Sequence, residues 1–355
     1  MTTSAAPDPF PLVTDPDLLN QATLRTLDAR VSASGEIVLP CLPSMLEDYM
    51  QRLKGMFAAL GKPLPTGETE DYLRRLLAFH LEKGFQESPH ACLIIQFQPS
   101  QSNPMGMACN VTIETFSIAE NYNKWLETRT PPLFGSHPDA KVLAVVSQIP
   151  DPATAPILDI GAGTGRNTLP LAKLGYPVDA LEITPGFAEE LRTQAAAENL
   201  PVTVILGDVL DPEVPLRAEG YKLAIVVEVL SDFRSPDQIR QVLSRLCDHL
   251  QPGGLLLFNL FLAATGYEPT PMARELGPFQ LSSIFTRGEL AEALTGLPLQ
   301  ILSDESVYEY EHQHLPEASW PPTGWFSTWS TGRDLFFLEK GRPPMELRWI
   351  LCRRI

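Results

Sequence analysis

Hydrophobic and polar positions follow two different rhythms along this chain. Over the first 115 or so residues the rhythm is mostly helical. Asp15-Pro16 predicts a helix running to about Ser32, ahead of Gly35. Leu46, Tyr49, Met50, Leu53, Phe57 and Leu60 recur at helical spacing, with Gly61 as the stop. Ser44 followed three residues later by Glu47 predicts a capping box, in which each side chain satisfies an orphan backbone donor. A third helix is expected over 68–83, where Leu73, Leu76, Leu77, His80 and Leu81 share a face. His80 reads as a hydrogen-bonded core histidine, and the Met/aromatic face of the second helix reads as packing. Two strand-like stretches follow, 91–98 and 107–117, joined by a loop rich in Pro, Ser, Asn and Gly. This part of the chain shows no chemistry of its own.

From about Ile118 the pattern alternates between strand and helix. A polar-aromatic lead-in around Asn121–Trp125 precedes a helix over 140–148. Strands are then expected at 156–161, 177–182, 202–207, 222–228 and 255–262, separated by helices at 166–175, 185–199 and 235–250. Val, Ile and Leu fill these strands with little polar alternation. Strands of that kind are buried on both faces, which predicts a mostly parallel sheet covered by helices. Thr286 with Glu289 caps a further helix to about Leu294, and two long strand-like pieces, 299–311 and 346–354, end the chain. The expected division is 1–115 and 116–355.

Composition narrows the class. The chain has 355 residues, 44% of them hydrophobic, and a formal net charge of −16. That charge opposes sequence-independent phosphate binding, so nucleic acid is not an expected partner. No stretch approaches the ~20 apolar residues of a membrane-spanning helix. The opening MTTSAAPDPFPL has neither a basic start nor an apolar run, which predicts no secretory leader. The five cysteines are far apart and form no Cys-x-x-Cys pair, so a reduced cytoplasmic protein without structural zinc is expected. Prolines are frequent, 34 in all, and dispersed, which reads as many rigid turns.

The chemistry concentrates after the first buried strand. Pro156-Ile-Leu-Asp-Ile-Gly-Ala-Gly-Thr-Gly-Arg166 runs from a hydrophobic strand through Gly161-x-Gly163-x-Gly165 into a helix. Glycine is needed where the backbone turns tightly and approaches a ligand. A dinucleotide fingerprint would place a third Gly or Ala where this chain has Arg166, which disfavours a nicotinamide enzyme. No Gly-Lys-Ser/Thr follows, so this is not a triphosphate loop. Glu182, at the tip of the next strand, can accept both hydroxyls of a ribose. Asp208, after the strand that follows, can accept from an adenine amino group, with Ile183 and Val209 flanking the ring. Glu228 ends the fourth strand, and Pro252-Gly253-Gly254 turns into the fifth.

Leu158-Asp-Ile-Gly-Ala-Gly-Thr-Gly165, Glu182, Gly207-Asp208 and Pro252-Gly253-Gly254 together resemble the class I S-adenosylmethionine-dependent methyltransferases. Gly165–Gly175, followed by Val178-x-Ala-Leu-Glu182, looks like the tellurite-resistance/thiopurine-like branch. The likeness covers about residues 118–355, closely only 156–262, and leaves out the first 115. It implies an α/β fold: a doubly wound, Rossmann-like seven-stranded sheet, order 3-2-1-4-5-7-6, last strand antiparallel, beside an extra N-terminal α+β domain. It implies S-adenosylmethionine as cofactor, with S-adenosylhomocysteine as product. Gly161, Ala162 and Gly163 would lie at its methionine and ribose end, Glu182 on the ribose diol, and Asp208 with Ile183 and Val209 at the adenine. Asp159 would orient the glycine loop through its backbone amides, and Tyr122 would come from a lid.

Glu228 is the candidate catalytic residue, either binding the cofactor's amino group or orienting an acceptor N–H. Asn259 reads as a satisfied core amide. The Asn/Asp-Pro-Pro-Tyr tetrapeptide of many amino-group methyltransferases is absent after the fourth strand. Segments 263–283 and 309–333 are candidates for specificity. The second holds Trp320, Trp325, Phe326 and Trp329, as core cover or substrate wall, and a His312-x-His314 pair with no third metal ligand. The expected activity is methyl transfer by in-line displacement to a protein side chain, for instance an amide nitrogen, with docking or oligomerisation on the N-terminal domain. A small-molecule acceptor and a cofactor-binding module without transfer remain alternatives.

Overall fold

The structure, a computed structural model, describes residues 12–101 and 106–355. The leader reading of residues 1–11 and the middle of the 99–106 loop lie outside the described residues. The chain divides into two compact units, Met1–Phe85 with Cys92–Glu114, and Gln86–Ala91 with Thr115–Ile355.

In the first unit, α1 (Pro16–Arg30) starts where expected, with the Asp15 carboxylate accepting from the Asp17 and Leu18 amides. A strand the sequence reading missed, β1 (Gly35–Pro40), then pairs with β2. Its six residues are bounded by Gly and Pro and carry too little alternation to announce a strand. Helix α2 (Leu46–Ala59) is entered through a single 3-10 turn at Pro43–Met45. Ser44 therefore sits inside that turn, and the residue preceding α2 is Met45, which gives the helix no side-chain cap. Helix α3 (Glu68–Glu87) runs four residues longer than expected. His80 on it is half-buried, with Nδ1 2.8 Å from the Leu76 carbonyl. Strands β2 (Cys92–Pro99) and β3 (Met107–Glu114) complete a three-stranded antiparallel sheet, order β1-β2-β3.

The second unit opens with a correction. The lead-in around Tyr122 is a helix, α4 (Ile118–Thr128), started by a capping box between Ser117 and Glu120. Then come α5 (Ala140–Val146), β4 (Ile157–Ile160), α6 (Thr168–Lys173), β5 (Val178–Glu182) and α7 (Pro185–Ala197). They are followed by β6 (Val202–Leu206), β7 (Tyr221–Val226), α8 (Pro236–His249) and β8 (Leu250–Ala263). Strand β8 already contains Pro252-Gly253-Gly254, where its pairing with β7 shifts register. Within 263–283 lies α9 (Pro271–Phe279), then a two-residue strand, β9 (Ile284–Phe285), and the Thr286-capped α10 (Arg287–Leu294).

Strand β10 (Leu299–Ser306) stops five residues early, because the Ser306 hydroxyl accepts from the Glu309 amide and starts α11 (Val307–His314). His312 and His314 thus lie on a helix rather than a strand. A short helix, α12 (Phe326–Ser330), precedes the last strand, β11 (Met345–Arg354).

The large sheet runs β10-β11-β8-β7-β4-β5-β6, with β9 added beside β8. Counting from β4 and leaving β9 aside, this is the order 3-2-1-4-5-7-6. The strands from β4 to β8 are mutually parallel, while β11 lies antiparallel to both β8 and β10. Each face carries its own core. One packs Ile157, Leu223, Ile225, Leu257 and Trp349 under α5, α6, α11 and α12. The other packs Leu158, Val226, Phe258 and Ile350 under α8 and α10. The chain direction reverses outward from β4, so a crevice opens at the carboxyl ends of β4 and β7, where ligands bind in doubly wound sheets.

Trp349 is completely buried in β11, and its indole N–H donates to Glu311. Trp349→Ala is expected to destabilise this unit by about 3–5 kcal/mol through the cavity it leaves. Urea unfolding followed by circular dichroism measures this, and a loss below 1 kcal/mol contradicts the assignment.

Candidate active site

The crevice holds a cavity of about 210 Å³ within the second unit. Its floor is the glycine loop between β4 and α6. Gly161 has φ +69°, and a Cβ there would lie 2.3 Å from a Val229 methyl. Only glycine fits so close an approach in the left-handed region. Gly165, at φ +98°, has Leu191 and Leu169 where a Cβ would go, so it allows α6 and α7 to close on the sheet.

Glu182 ties this loop to the next one. One carboxylate oxygen accepts from the Gly163 amide at 2.8 Å, the other from the Thr184 amide at 2.7 Å. The side chain is buried, and burial pushes its pKa up, while the two amide donors oppose that shift. Asp208 is exposed and accepts from the Leu210 amide at 2.8 Å, an Asx turn that holds its carboxylate at the tip of β6. Ile183 and Val209 join Glu182 and Asp208 in the cavity wall.

Asp159 behaves differently from expectation. Its carboxylate accepts from the Thr168 hydroxyl at 2.5 Å, so it anchors the first residue of α6 instead of the loop amides. The side chain is buried at the end of β4, where the Thr168 hydroxyl is the donor it meets. Burial raises its pKa to about 7.

Glu228 is committed to a partner that the sequence reading did not pair with it. Arg166 lies 2.7 Å from both Glu228 and Asp139 and is itself buried. Burial alone would weaken the guanidinium's charge, but the two carboxylates outweigh it and hold its pKa above the ordinary value. Glu228 has φ +60°, and its amide donates to Asn259 Oδ1 at 2.7 Å. Asn259 is therefore the satisfied core amide it was expected to be. Gly161, Ala162, Gly163, Arg166 and Glu228 line a smaller recess of about 50 Å³.

Tyr122 reaches the cavity from α4, and its hydroxyl donates to Asp232 at 3.1 Å. Its ring packs against Phe187 and Trp125, and Phe134 stacks on Trp125 and meets Phe187 edge-on. Phe134, Phe187, Asp232 and Phe233 belong to the wall and had carried no signal, since an aromatic in a loop or a helix start reads as packing. Trp320, Trp325, Phe326 and Trp329 stay away from this cavity. Phe326 and Trp329 are buried with Trp349 as core cover. Among the described residues no group of three His, Cys, Asp or Glu side chains is placed to hold a metal.

The raised Asp159 pKa has a defined consequence. Its carboxyl binds a proton more tightly folded than unfolded, so its contribution to stability is greatest below pH ~4 and is lost as pH rises to about 7. Asp159→Asn keeps an acceptor for Thr168 without this loss. The melting temperature of the variant relative to the native chain is expected to rise between pH 4.5 and pH 7.5. A difference that is flat or falls with pH contradicts the assignment.

Residues 157–254 match a family model described as a methyltransferase domain. The chain is 29% identical over 136 residues to a probable S-adenosyl-L-methionine-dependent methyltransferase, TehB, of Haemophilus influenzae, covering 38% of this chain and 43% of that protein. It is 28% identical over 125 residues to the uncharacterized methyltransferase YodH of Bacillus subtilis, covering 35% and 51%. It is 27% identical over 199 residues to the ubiquinone biosynthesis O-methyltransferase of Xanthomonas axonopodis pv. citri, covering 53% and 80%. The chain thus spans about half or less of the length of the first two relatives.

Proposed function

We propose that this chain, which carries a class I S-adenosylmethionine-dependent methyltransferase domain related to the tellurite-resistance branch, transfers a methyl group from that cofactor to a small, largely apolar acceptor. One observation carries the reading. A single cavity at the carboxyl ends of β4 to β7 is lined both by Gly161, Glu182, Ile183, Asp208 and Val209 and by the aromatic rings of Tyr122, Phe134 and Phe187.

The residues present suit the cofactor. The glycine loop lines the cavity with backbone alone at Gly161 and Gly163, and Glu182 is held beside it by the Gly163 amide at 2.8 Å. Glu182 would hold the ribose diol and Asp208 the adenine amino group, with Ile183 and Val209 on the ring faces. Gly161, Ala162 and Gly163 would pass along the amino-acid end, which the small recess beside Arg166 and Glu228 suits. Glu228 is ion-paired, so it fits a ligand of the cofactor's amino group better than a free base. Tyr122 closes the cavity from above, and Asp159 acts one layer below by fixing α6.

S-adenosylmethionine, when bound, supplies an electrophilic methyl on a sulfonium with a neutral leaving group, and S-adenosylhomocysteine is the product. The chain's work is then alignment and exclusion of water. Holding two reactants in line supplies up to ~7–11 kcal/mol of a bimolecular barrier. The rings of Tyr122, Phe134 and Phe187 wall off solvent, and the carboxylates of Glu182 and Asp208 suit a cationic ligand.

The aromatic lining of the cavity and the relative named as a ubiquinone biosynthesis O-methyltransferase both support a small acceptor. Transfer to a protein side chain, such as an amide nitrogen, draws support from the first unit. Its α1 buries no residue and leaves Leu18, Leu24 and Leu27 about half exposed or more, a face suited to docking or to a second copy.

Two measurements test the proposal. Glu182→Ala is expected to weaken S-adenosylhomocysteine binding about 10- to 100-fold by calorimetry, the loss of charge-assisted bonds. Unchanged affinity contradicts the ribose assignment, and tight NAD binding contradicts the cofactor. Incubation of the full chain and methyl-labelled cofactor with a cell extract should label the fraction below 3 kDa. Label confined to protein refutes the small acceptor and supports the docking reading.

A further inference from the structure

The part of the cavity wall that follows β7 contains one carboxylate without a cofactor role. Asp232 ends the single 3-10 turn Leu230–Asp232, directly after the end of β7. It is 9% exposed. Tyr122 donates to its Oδ2, while its Oδ1 is buried without any hydrogen-bond partner. The same cavity is lined by Ile118, Phe134, Phe187, Val229 and Phe233. A buried carboxylate oxygen left unsatisfied costs about 1–3 kcal/mol or more. An unpaired oxygen on a side chain that lines a cavity marks a place for a donor that arrives with a ligand.

We infer that Asp232, positioned by Tyr122, binds the methyl acceptor through a hydrogen bond that the acceptor donates, and that the acceptor is a ring-bearing apolar molecule whose nucleophile is a hydroxyl or an amine. The inference rests on the methyl-transfer reading above. The apolar walls take the ring, and Asp232 Oδ1 takes the O–H or N–H. On transfer the acceptor's O–H or N–H bond breaks and its proton passes to Asp232. The heteroatom's electron pair forms the new bond to the methyl carbon, and the pair of the broken carbon–sulfur bond stays on sulfur. Asp232 is the catalytic residue in this scheme, and Tyr122 is a positioning residue that acts through it.

The electrostatics agree with the geometry. Burial raises the Asp232 carboxyl to about 7, opposed by the Tyr122 hydrogen bond and reinforced by Glu182. The titratable and charged groups that share this space are Tyr122 from α4, Glu182 from the end of β5, Asp208 from the end of β6, Glu228 after β7, and Arg234 beyond the turn. A carboxylate poised near neutrality accepts a proton without being too weak a base to take it.

The probe is 2-naphthol, with 2-methoxynaphthalene as the same ring system lacking the donor. Both are titrated by fluorescence into the full chain saturated with S-adenosylhomocysteine. The native chain is expected to bind 2-naphthol about 10-fold more tightly than the methoxy compound, the worth of one hydrogen bond to a charged acceptor. Asp232→Asn, whose amide oxygen accepts without charge, should cut that preference to about 3-fold or less while leaving S-adenosylhomocysteine affinity within about 2-fold, with the circular dichroism spectrum unchanged. The native preference should fade as pH falls below ~7. In Tyr122→Phe, which strips a hydrogen bond from the charged form, the midpoint should move upward, a shift that a merely structural tyrosine would not give.

No discrimination between the probes, no binding of 2-naphthol, or a 10-fold loss of S-adenosylhomocysteine affinity in Asp232→Asn each overturns the inference. The last makes Asp232 a cofactor ligand. A native chain that binds no S-adenosylhomocysteine at all fails the methyl-transfer reading itself, which separates the two failures.

Discussion

One buried guanidinium organises the floor of the crevice. Arg166 cannot leave water unpaired, because an isolated buried charge is too costly to keep. It is satisfied by Asp139, ahead of α5, and by Glu228, after β7. Asn167 closes the same knot by exchanging two hydrogen bonds with Asp139. From there Glu311 accepts from the Ala140 and Lys141 amides and from the Trp349 indole, so α11 and β11 join the network. Burial and the nearby Asp139 push the Glu311 carboxyl up to about 7. A single pairing requirement thus links the glycine loop, the end of β7, strand β11 and the helices α5 and α11.

That knot explains the division of labour in the cavity. Asp139 and Glu228 both serve Arg166, which fixes Glu228 beside the smaller recess, while Glu182, Asp208 and Asp232 line the larger cavity. Glu182 has a double duty, since its oxygens already hold the Gly163 and Thr184 amides. The loop is therefore shaped before a ligand arrives, and little ordering cost remains for binding. Asp232 is the contrary case. It sits beside the same cavity with one oxygen unanswered.

Much of the larger unit was legible in the sequence. The parallel strands read as such because burial on both faces demands unbroken Val, Ile and Leu. The glycine loop and the strand-end acids read as a site because their chemistry tolerates few substitutes. The misreadings share a cause. Tyr122 stood in a lead-in that is in fact a capped helix. Ser44 had the spacing of an N-cap, yet it lies inside a 3-10 turn and Met45 takes the position before the helix. The stretch after Ser306 turned from strand to helix on one hydroxyl. Each depended on a local hydrogen bond that competes closely with its alternative.

The partners were the hidden part. Asp159 had its donor in Thr168, nine residues on, and Arg166 had its acids 27 residues back and 62 residues ahead. Spacing along a chain does not encode which distant charges meet once the strands are ordered. By itself the sequence determined the doubly wound sheet, the glycine turn and the acids at the ends of β5 and β6, because hydrophobic periodicity and backbone sterics act locally. Only the tertiary structure decided that Glu228 is paired, that Phe134 and Phe187 face a cavity, and that Asp232 keeps an open oxygen. Those outcomes follow from burial, which sets the cost of every unpaired charge and exists only after the chain has packed.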